Sequence, residues 1–202
     1  MIKLLARFVL WIGRWDLQND LKDMIPEKSI MIAVPHTSNW DFPYARAAFY
    51  EMGIPLKFTI KKQWVRFPWG GLFRAMGALA IDRRPKENTG RKVSYTEAMI
   101  DLIKDYEGQL CVIVTPEGTR KKRTEWKTGF YYAAKGAGVP IVLGFLDYTT
   151  RKAGAGKLIY PSDDMDADMR EIMDFYKDIK GKNPEDFSID MRYEPVEVIQ
   201  GT

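Results

Sequence analysis

Short apolar runs alternate with helix-like stretches along most of this chain. The apolar runs with the length and composition of strands are 29–34 (SIMIAV), 56–60 (LKFTI), 78–81 (ALAI), 110–114 (LCVIV) and 140–148 (PIVLGFLDY). The stretches with helical periodicity are 40–51, 88–106, 128–137 and 166–180. Strands that are apolar throughout are covered on both faces, because neither face suits water. The pattern therefore predicts an α/β fold whose central sheet, largely parallel or mixed, is flanked by helices.

The first sixteen residues, MIKLLARFVLWIGRWD, predict an amphipathic helix ahead of that fold. At about 100° per residue, roughly half of the helix surface carries large apolar side chains, namely Leu4, Leu5, Phe8, Val9, Trp11, Ile12 and Trp15. The basic side chains on the opposite side are Lys3, Arg7 and Arg14. The apolar stretch is shorter than the ~20 residues that span a bilayer, and no A-x-A-like site marks a secretory signal. The helix either docks on the core or lies in a membrane interface, which its two tryptophans and basic side favour slightly.

Composition narrows the classes of function. The 202 residues contain no internal repeat or linker, so we expect a single domain, 17–202, after the helix at 1–16. A net charge of +4 favours anionic partners. The 27 acids are dispersed among the 31 bases, however, which argues against the basic stripe of a nucleic-acid-binding protein. A single cysteine, Cys111, and a single histidine exclude an intrachain disulfide and argue against a zinc site.

The single histidine, His36, follows the first predicted strand in the segment VPHTSNWD. Asp41 lies five positions further on, and such a pair shares neither a helix face nor a strand face. The two side chains can therefore meet only if the chain turns between them. Ser38 or Asn39 can cap a helix that begins near Trp40, which would place Asp41 in its first turn. A contact with the imidazole would fix its tautomer and stabilise the imidazolium, although a capped helix start explains Asp41 equally well.

Two further strand ends carry basic residues. The loop VTPEGTRKKR follows the fourth predicted strand, and Gly118 within it permits a positive φ and close approach of a ligand. Backbone N–H groups near Gly118, together with the guanidinium of Arg120, suit a phosphate or a carboxylate. Glu117 predicts either an ion pair that orders the loop or a functional contact. Arg83 follows the third predicted strand in the segment GALAIDRR.

Four segments, taken together in order and approximate spacing, resemble the four sequence blocks of the lysophosphatidic acid acyltransferase family of glycerolipid acyltransferases. They are His36–Asp41 (H-x4-D), Gly77–Arg83, Thr115–Arg120 (TPEGTR) and Val139–Val142 (VPIV), and they span roughly half of the chain. This chain departs from the family's blocks at two places, and both bear on the shape of the pocket and on the choice of acceptor. The third block usually begins with Phe where this chain has Thr115, and the fourth commonly reads VPIVP where this chain has VPIVLG.

The resemblance implies transfer of a fatty acyl group from acyl-CoA or acyl-carrier protein to the hydroxyl of a lysophospholipid. Lysophosphatidate is the family's usual acceptor, and a lyso-aminolipid or another lysolipid is the alternative. The roles implied are a general base, His36, oriented by Asp41, and substrate-binding residues Arg83, Glu117, Gly118, Thr119 and Arg120. A thioester is already activated, so no covalent nucleophile is required and Cys111 is expected to be inert core. We expect no metal and no cofactor beyond the acyl donor.

The partners expected are therefore the acyl donor, the lysophospholipid acceptor and a membrane lipid surface, with the protein peripheral on its cytoplasmic face. A rival from another class of function is a non-catalytic peripheral protein that binds anionic lipids. That rival uses the basic residues and the N-terminal helix. It gives His36 and Asp41 no role, so their presence together argues against it.

Overall fold

The computed structural model describes residues 2–19, 21, 23–61, 70–81 and 93–195. The strands within these residues are β1 (Asp16–Gln18), β2 (Lys28–Ala33), β3 (Leu56–Lys61), β4 (Ala78–Ile81), β5 (Leu110–Val114), β6 (Ile141–Asp147) and β7 (Lys152–Ile159). The helices within them are α1 (Ile2–Gly13), α2 (Asp41–Glu51), α3 (Gly70–Ala75), α4 (Tyr95–Asp105), α5 (Gly129–Ala137) and α6 (Met165–Tyr176). The strands form one sheet in the order β1-β7-β6-β2-β5-β3-β4.

The centre of this sheet is parallel. Strand β2 pairs with β6 on one side and with β5 on the other, and β3 and β4 continue in the same direction beyond β5. Strand β7 runs antiparallel to β6, and β1 pairs with β7. The segments that follow β6, β2 and β5 therefore emerge side by side at one edge of the sheet, which is where α/β folds place their sites.

Helices cover both faces of the sheet. Successive side chains of a strand point to opposite faces, and β2 shows this in its core residues. Ile30 and Ile32 pack in a cluster with α4, α5 and α6, whereas Met31 packs in a second cluster with α1 and α2. The prediction of an α/β fold with a mixed sheet, flanking helices and an N-terminal helix is confirmed.

The differences from the sequence prediction have local causes. Helix α4 begins at Tyr95, because Ser94 and Glu97 form a capping box in which each side chain accepts the other's backbone N–H. The first residues of the predicted helix 88–106, up to 92, lie outside the described residues. Helix α6 ends at Tyr176, four residues before its predicted end. The sequence analysis did not predict strand β7, KAGAGKLI, because its glycines hide the strand pattern. Gly154 is required by packing, since a Cβ there would clash with the carbonyl oxygen of Gln18 in β1.

Helix α1 docks on the domain and also has an exposed apolar side. Its inner face packs on α2 through Ala6 and Leu10, and Arg7 pairs with Glu51 at the end of α2 at 2.9 Å. The exposed apolar side chains of α1 are Leu4, Leu5, Phe8, Trp11 and Ile12. Trp15, predicted on this same side, is instead buried just after the helix. No helix in the described ranges has the length and apolar character that a membrane crossing requires.

Candidate active site

The turn between β2 and α2 brings His36 and Asp41 together. His36 Nδ1 lies 3.1 Å from Asp41 Oδ2, and the backbone N–H groups of Thr37 and Ser38 donate to the same oxygen at 2.9 Å each. An ionised carboxylate only accepts hydrogen bonds, so we assign the ring hydrogen to Nδ1. The lone pair then lies on Nε2. Since the His36 side chain is 26% exposed and borders a cavity, this imidazole is placed to accept a proton.

The helix start itself differs from its prediction. The N-cap residue of α2 is Trp40, with no side-chain cap, rather than Ser38 or Asn39. The Ser38 hydroxyl accepts the Trp40 N–H at 3.2 Å. Because Trp40 is itself the N-cap residue, this hydrogen bond lies before the helix and does not cap it. Asp41 instead reaches back with its own carboxylate to the two N–H groups that precede the helix. The turn is thus closed by the same side chain that orients the imidazole.

Glu117 contacts this turn from the loop after β5. Its Oε1 accepts the backbone N–H of His36 at 3.0 Å, so it orders the two loops by a hydrogen bond rather than by an ion pair. The side chain is almost fully buried, and this burial raises the pKa of Glu117 to about 7 although the His36 N–H favours the charged form. Its Oε2 is buried with no hydrogen-bond partner among the residues that the structure describes. Glu117 thus lies behind the residues that line the cavity beside His36, with one buried oxygen left without a partner in the described part of the chain.

We expect Glu117→Gln to flatten the pH dependence of stability between about pH 4.5 and 7. In the folded protein the carboxyl holds its proton up to about pH 7, whereas in the unfolded chain it releases the proton near 4.5. The free energy of unfolding therefore falls as the pH rises through this window, by about 3 kcal/mol for this group. Urea unfolding of both proteins at pH 4.5, 6 and 8 measures the difference. Parallel curves for the two proteins would contradict the prediction.

Tyr148 is a site residue that the sequence analysis missed. It follows β6, the other neighbour of β2, and its hydroxyl donates to Asp41 Oδ1 at 2.7 Å. Burial, and then the hydrogen bond and charge of Asp41, raise the pKa of Tyr148 far above its usual value, so the hydroxyl remains a donor. The sequence analysis treated it as the last residue of a strand. Its position after the VPIV strand would have indicated it only if the order β6-β2-β5 had been known.

A cavity of about 1020 Å³ opens beside His36. Its polar lining includes His36, Asn39, Asp41, Arg46, Thr115, Thr119, Arg120 and Lys127, and its apolar lining includes Phe42, Phe49, Leu56, Phe58, Ile113, Phe130, Phe145 and Leu146. The volume reaches the upper end of the range for small-molecule sites, roughly 300–1,000 Å³. A ligand with a long apolar part and a charged part fits this mixed lining better than a small metabolite does.

The loop after β5 supplies cations to this cavity. Gly118 has a φ of +67°, and its N–H donates to the Thr115 carbonyl at 3.0 Å, so that N–H is used within the loop. A Cβ at Gly118 would lie 2.6 Å from Lys127 Nζ, so the glycine leaves room for this ammonium. Thr119 and Arg120 border the same cavity. Arg83, the remaining predicted site residue, lies outside the described residues.

Cys111 takes no part in this site. It lies in β5 at the centre of the sheet, and burial raises the pKa of its thiol to about 12. A thiol that stays protonated is a poor nucleophile. The prediction that Cys111 belongs to the core is confirmed, and its burial agrees with the expectation that the thiol is inert.

One known protein family has a model whose match to this chain includes most of these elements. A family model described as Acyltransferase matches residues 17–142, which include the turn at His36, the loop at Glu117 and the start of β6. Helix α1 precedes the matched segment. No curated protein and no solved structure matches the chain.

Proposed function

The chain belongs to the Acyltransferase family, and we propose that it moves a fatty acyl group from acyl-CoA or acyl-carrier protein to the hydroxyl of a lysophospholipid. Lysophosphatidate is the first acceptor to test, and a lyso-aminolipid or another lysolipid is the alternative. One observation carries the proposal: an imidazole oriented by a carboxylate borders a large cavity with apolar walls and a cationic loop.

In the proposed reaction His36 is the general base and no covalent enzyme intermediate forms. Nε2 takes the proton of the acceptor hydroxyl while the hydroxyl oxygen attacks the thioester carbonyl carbon. The new C–O bond forms and the C–S bond breaks as the tetrahedral intermediate collapses. The leaving thiolate then takes the proton from the imidazolium. Asp41 holds the ring through Nδ1 and stabilises its charge between the two transfers.

The loop after β5 is proposed to bind the acceptor. Its cations border the cavity, and a guanidinium such as that of Arg120 can bind a phosphate through two N–H groups. Gly118 allows close approach of the headgroup, and Thr119 adds a hydroxyl at the same wall. Glu117 is proposed to order this loop against the His36 turn; a contact with a glycerol hydroxyl of the acceptor would require its Oε2, which is buried, to become exposed. Arg83 is proposed as a second contact for the phosphate of the acceptor.

Mass spectrometry tests this function directly. Purified protein is incubated with acyl-CoA or acyl-carrier protein and a panel of lysolipids that includes lysophosphatidate, a lyso-aminolipid and a neutral monoacylglycerol. We expect one class of lysolipid to gain a single acyl chain. If no lysolipid gains an acyl chain with either donor while the protein binds anionic vesicles, the non-catalytic lipid-binding alternative replaces the proposal.

We also propose that α1 holds the protein at the cytoplasmic face of a membrane. Its outer apolar side chains are exposed, with Trp11 at 75%, and Lys3 of the same helix is exposed as well. Deleting residues 1–16 would not isolate this contact, because Leu10 and Trp15 belong to the core. Substitutions confined to the outer side are the cleaner test.

We expect the double variant Phe8→Ser, Trp11→Ser to lose binding to anionic vesicles. Both side chains are exposed, so the melting temperature should change by less than about 2 °C and turnover of a soluble short-chain acceptor should persist. Binding by the unchanged protein should weaken with salt, since each cation near an acidic membrane contributes about 1 kcal/mol. Vesicle sedimentation measures both effects, with Leu10→Ser as the buried counterpart that should lower stability instead. Full vesicle binding by the double variant would disprove the contact.

A further inference from the structure

The ring that holds Asp41 is itself held by the end of α1. The Tyr148 ring lies edge-on to the Trp15 indole, with ring centroids 4.9 Å apart and planes at 85°. The Arg151 guanidinium lies over both rings, 5.6 Å from the Trp15 centroid and 5.8 Å from that of Tyr148. The backbone of Trp15 is fixed in turn, because its main-chain N–H donates to the Leu10 carbonyl of α1 at 2.9 Å, whereas the indole N–H is buried without a partner among the described residues. A continuous set of contacts thus runs from α1 to the carboxylate.

The two oxygens of Asp41 have separate partners. Oδ2 takes the His36 ring and two backbone N–H groups of the turn, whereas the bond to Oδ1 comes from Tyr148. Donors on both oxygens fix the rotation of the carboxylate about Cβ–Cγ. Without the hydroxyl, Oδ1 of this buried carboxylate would lose its side-chain donor, and the carboxylate would rotate toward another donor. That rotation would weaken the contact of Oδ2 with Nδ1.

We propose that Tyr148 is a positioning residue for the His36–Asp41 pair, and that Trp15 couples the seating of α1 to this pair by packing on the Tyr148 ring. The inference rests on the proposed function for its kinetic test, and it deepens that function by making α1 part of the catalytic architecture. The backbone of Tyr148 is anchored independently, since its N–H donates to the Lys180 carbonyl at 2.9 Å. A shift of α1 would therefore change the placement of the Tyr148 side chain rather than that of its backbone.

The first test compares Tyr148→Phe with Tyr44→Phe. The Tyr44 ring packs in the same aromatic cluster, 5.2 Å from Trp15 and 6.4 Å from Tyr148, but its hydroxyl does not bond to Asp41. A hydrogen bond to a charged group is worth roughly a 10-fold change or more, so Tyr148→Phe should lower kcat about 10-fold. KM should stay within about twofold because the hydroxyl does not touch the acceptor, and Tyr44→Phe should leave kcat within about twofold. Unchanged kcat in Tyr148→Phe, or equal losses in the two variants, would overturn the role.

The second test does not depend on any acceptor. His36 is the only histidine, so ¹⁵N-labelled imidazole gives a single set of ring signals. The Nδ1–H proton should be protected from exchange in the unchanged protein and in Tyr44→Phe, and should exchange about 10-fold faster in Tyr148→Phe. Equal protection in all three proteins would defeat the inference even if acyl transfer is confirmed. Should no lysolipid be acylated, the proposed function fails while this measurement still decides the role of Tyr148.

The third test addresses Trp15 through a double-mutant cycle. Trp15→Leu should lower kcat about threefold at a temperature where the variant remains folded, as checked by its melting curve, but should add little to Tyr148→Phe. Such non-additivity shows that Trp15 acts through the Tyr148 hydroxyl. Additive losses would mean that α1 affects activity by another route, and the coupling would be rejected. If Trp15→Leu does not fold, the cycle is run with Trp15→Phe and judged by the same two outcomes.

Discussion

Replacing His36 by alanine is expected to lower the rate of acyl transfer by about 10²–10⁴-fold, the usual contribution of a general base. The fold should persist, because the imidazole is at the surface of a cavity and its removal leaves no void in the core. The structural contact of this residue with Glu117 is made by the backbone N–H, which alanine keeps. Initial rates with the acceptor identified by mass spectrometry, together with a melting curve, measure the two effects.

A matched variant separates the base from the hydrogen bond. In His36→Asn the side-chain amide can still donate to Asp41 Oδ2 in place of Nδ1–H, but it carries no basic nitrogen. We expect it to be as inactive as His36→Ala and at least as stable. If either variant retained most of the activity, the proposed proton transfer through Nε2 would be wrong. An active asparagine variant beside an inactive alanine variant would mean that the contact with Asp41, rather than the base, matters.

Local sequence showed that His36 and Asp41 meet only if the chain turns between them, but a capped helix start explained Asp41 equally well, so the contact itself is established by the structure. The sheet could be predicted, since apolar runs such as those of β2 and β5 require cover on both faces. The hydrogen bonds that close the turn could not be predicted. Asp41 closes it in place of the predicted caps because one carboxylate can accept several N–H groups at once. Local patterns show which residues are polar but not which of several donors an acceptor selects.

The residues that support the pair could not be predicted, because they are brought to it by the order of the strands. Tyr148 lies more than a hundred positions from Asp41, and Asn183, which donates to the Thr37 carbonyl at 2.9 Å, lies still further along the chain. Neither belongs to a local pattern that signals a site. Both become neighbours of the turn because β6 lies next to β2 and the segment after α6 returns to the same edge.

The N-terminal helix was expected either to dock on the core or to lie in a membrane interface, and these two alternatives concern different sides of the helix. The helical wheel could show that apolar residues cover half of the surface, but not which of them face α2. Ala6 and Leu10 make the docked face. The two aromatic side chains, Phe8 and Trp11, remain outside together with aliphatic ones of the same size as Leu10, so side-chain size alone does not identify the docked face. Docking on the core is thus part of the structure, and contact with a membrane stays a proposal for the outer side.

Arg120→Ala is expected to lower kcat/KM for a phosphate-bearing acceptor by about 10–100-fold, the value of a hydrogen-bonded contact between two charged groups. The guanidinium borders the cavity, so its effect should depend on the charge of the ligand rather than on the fold. The loss should shrink to a few-fold for a neutral monoacylglycerol, which offers no phosphate. Arg83→Ala is expected to follow the same pattern.

The adjacent cation provides the control for this comparison. Lys121 is on the same loop, but its ammonium lies 3.5 Å from Asp186 and its side chain is largely exposed. Lys121→Ala should therefore change kcat/KM by less than about twofold for either acceptor, as expected for a surface ion pair. Arg120→Lys should recover only part of the activity, because an ammonium keeps the charge but loses the two-pronged geometry. Equal losses in Arg120→Ala with charged and neutral acceptors would show instead that this arginine holds the loop in place.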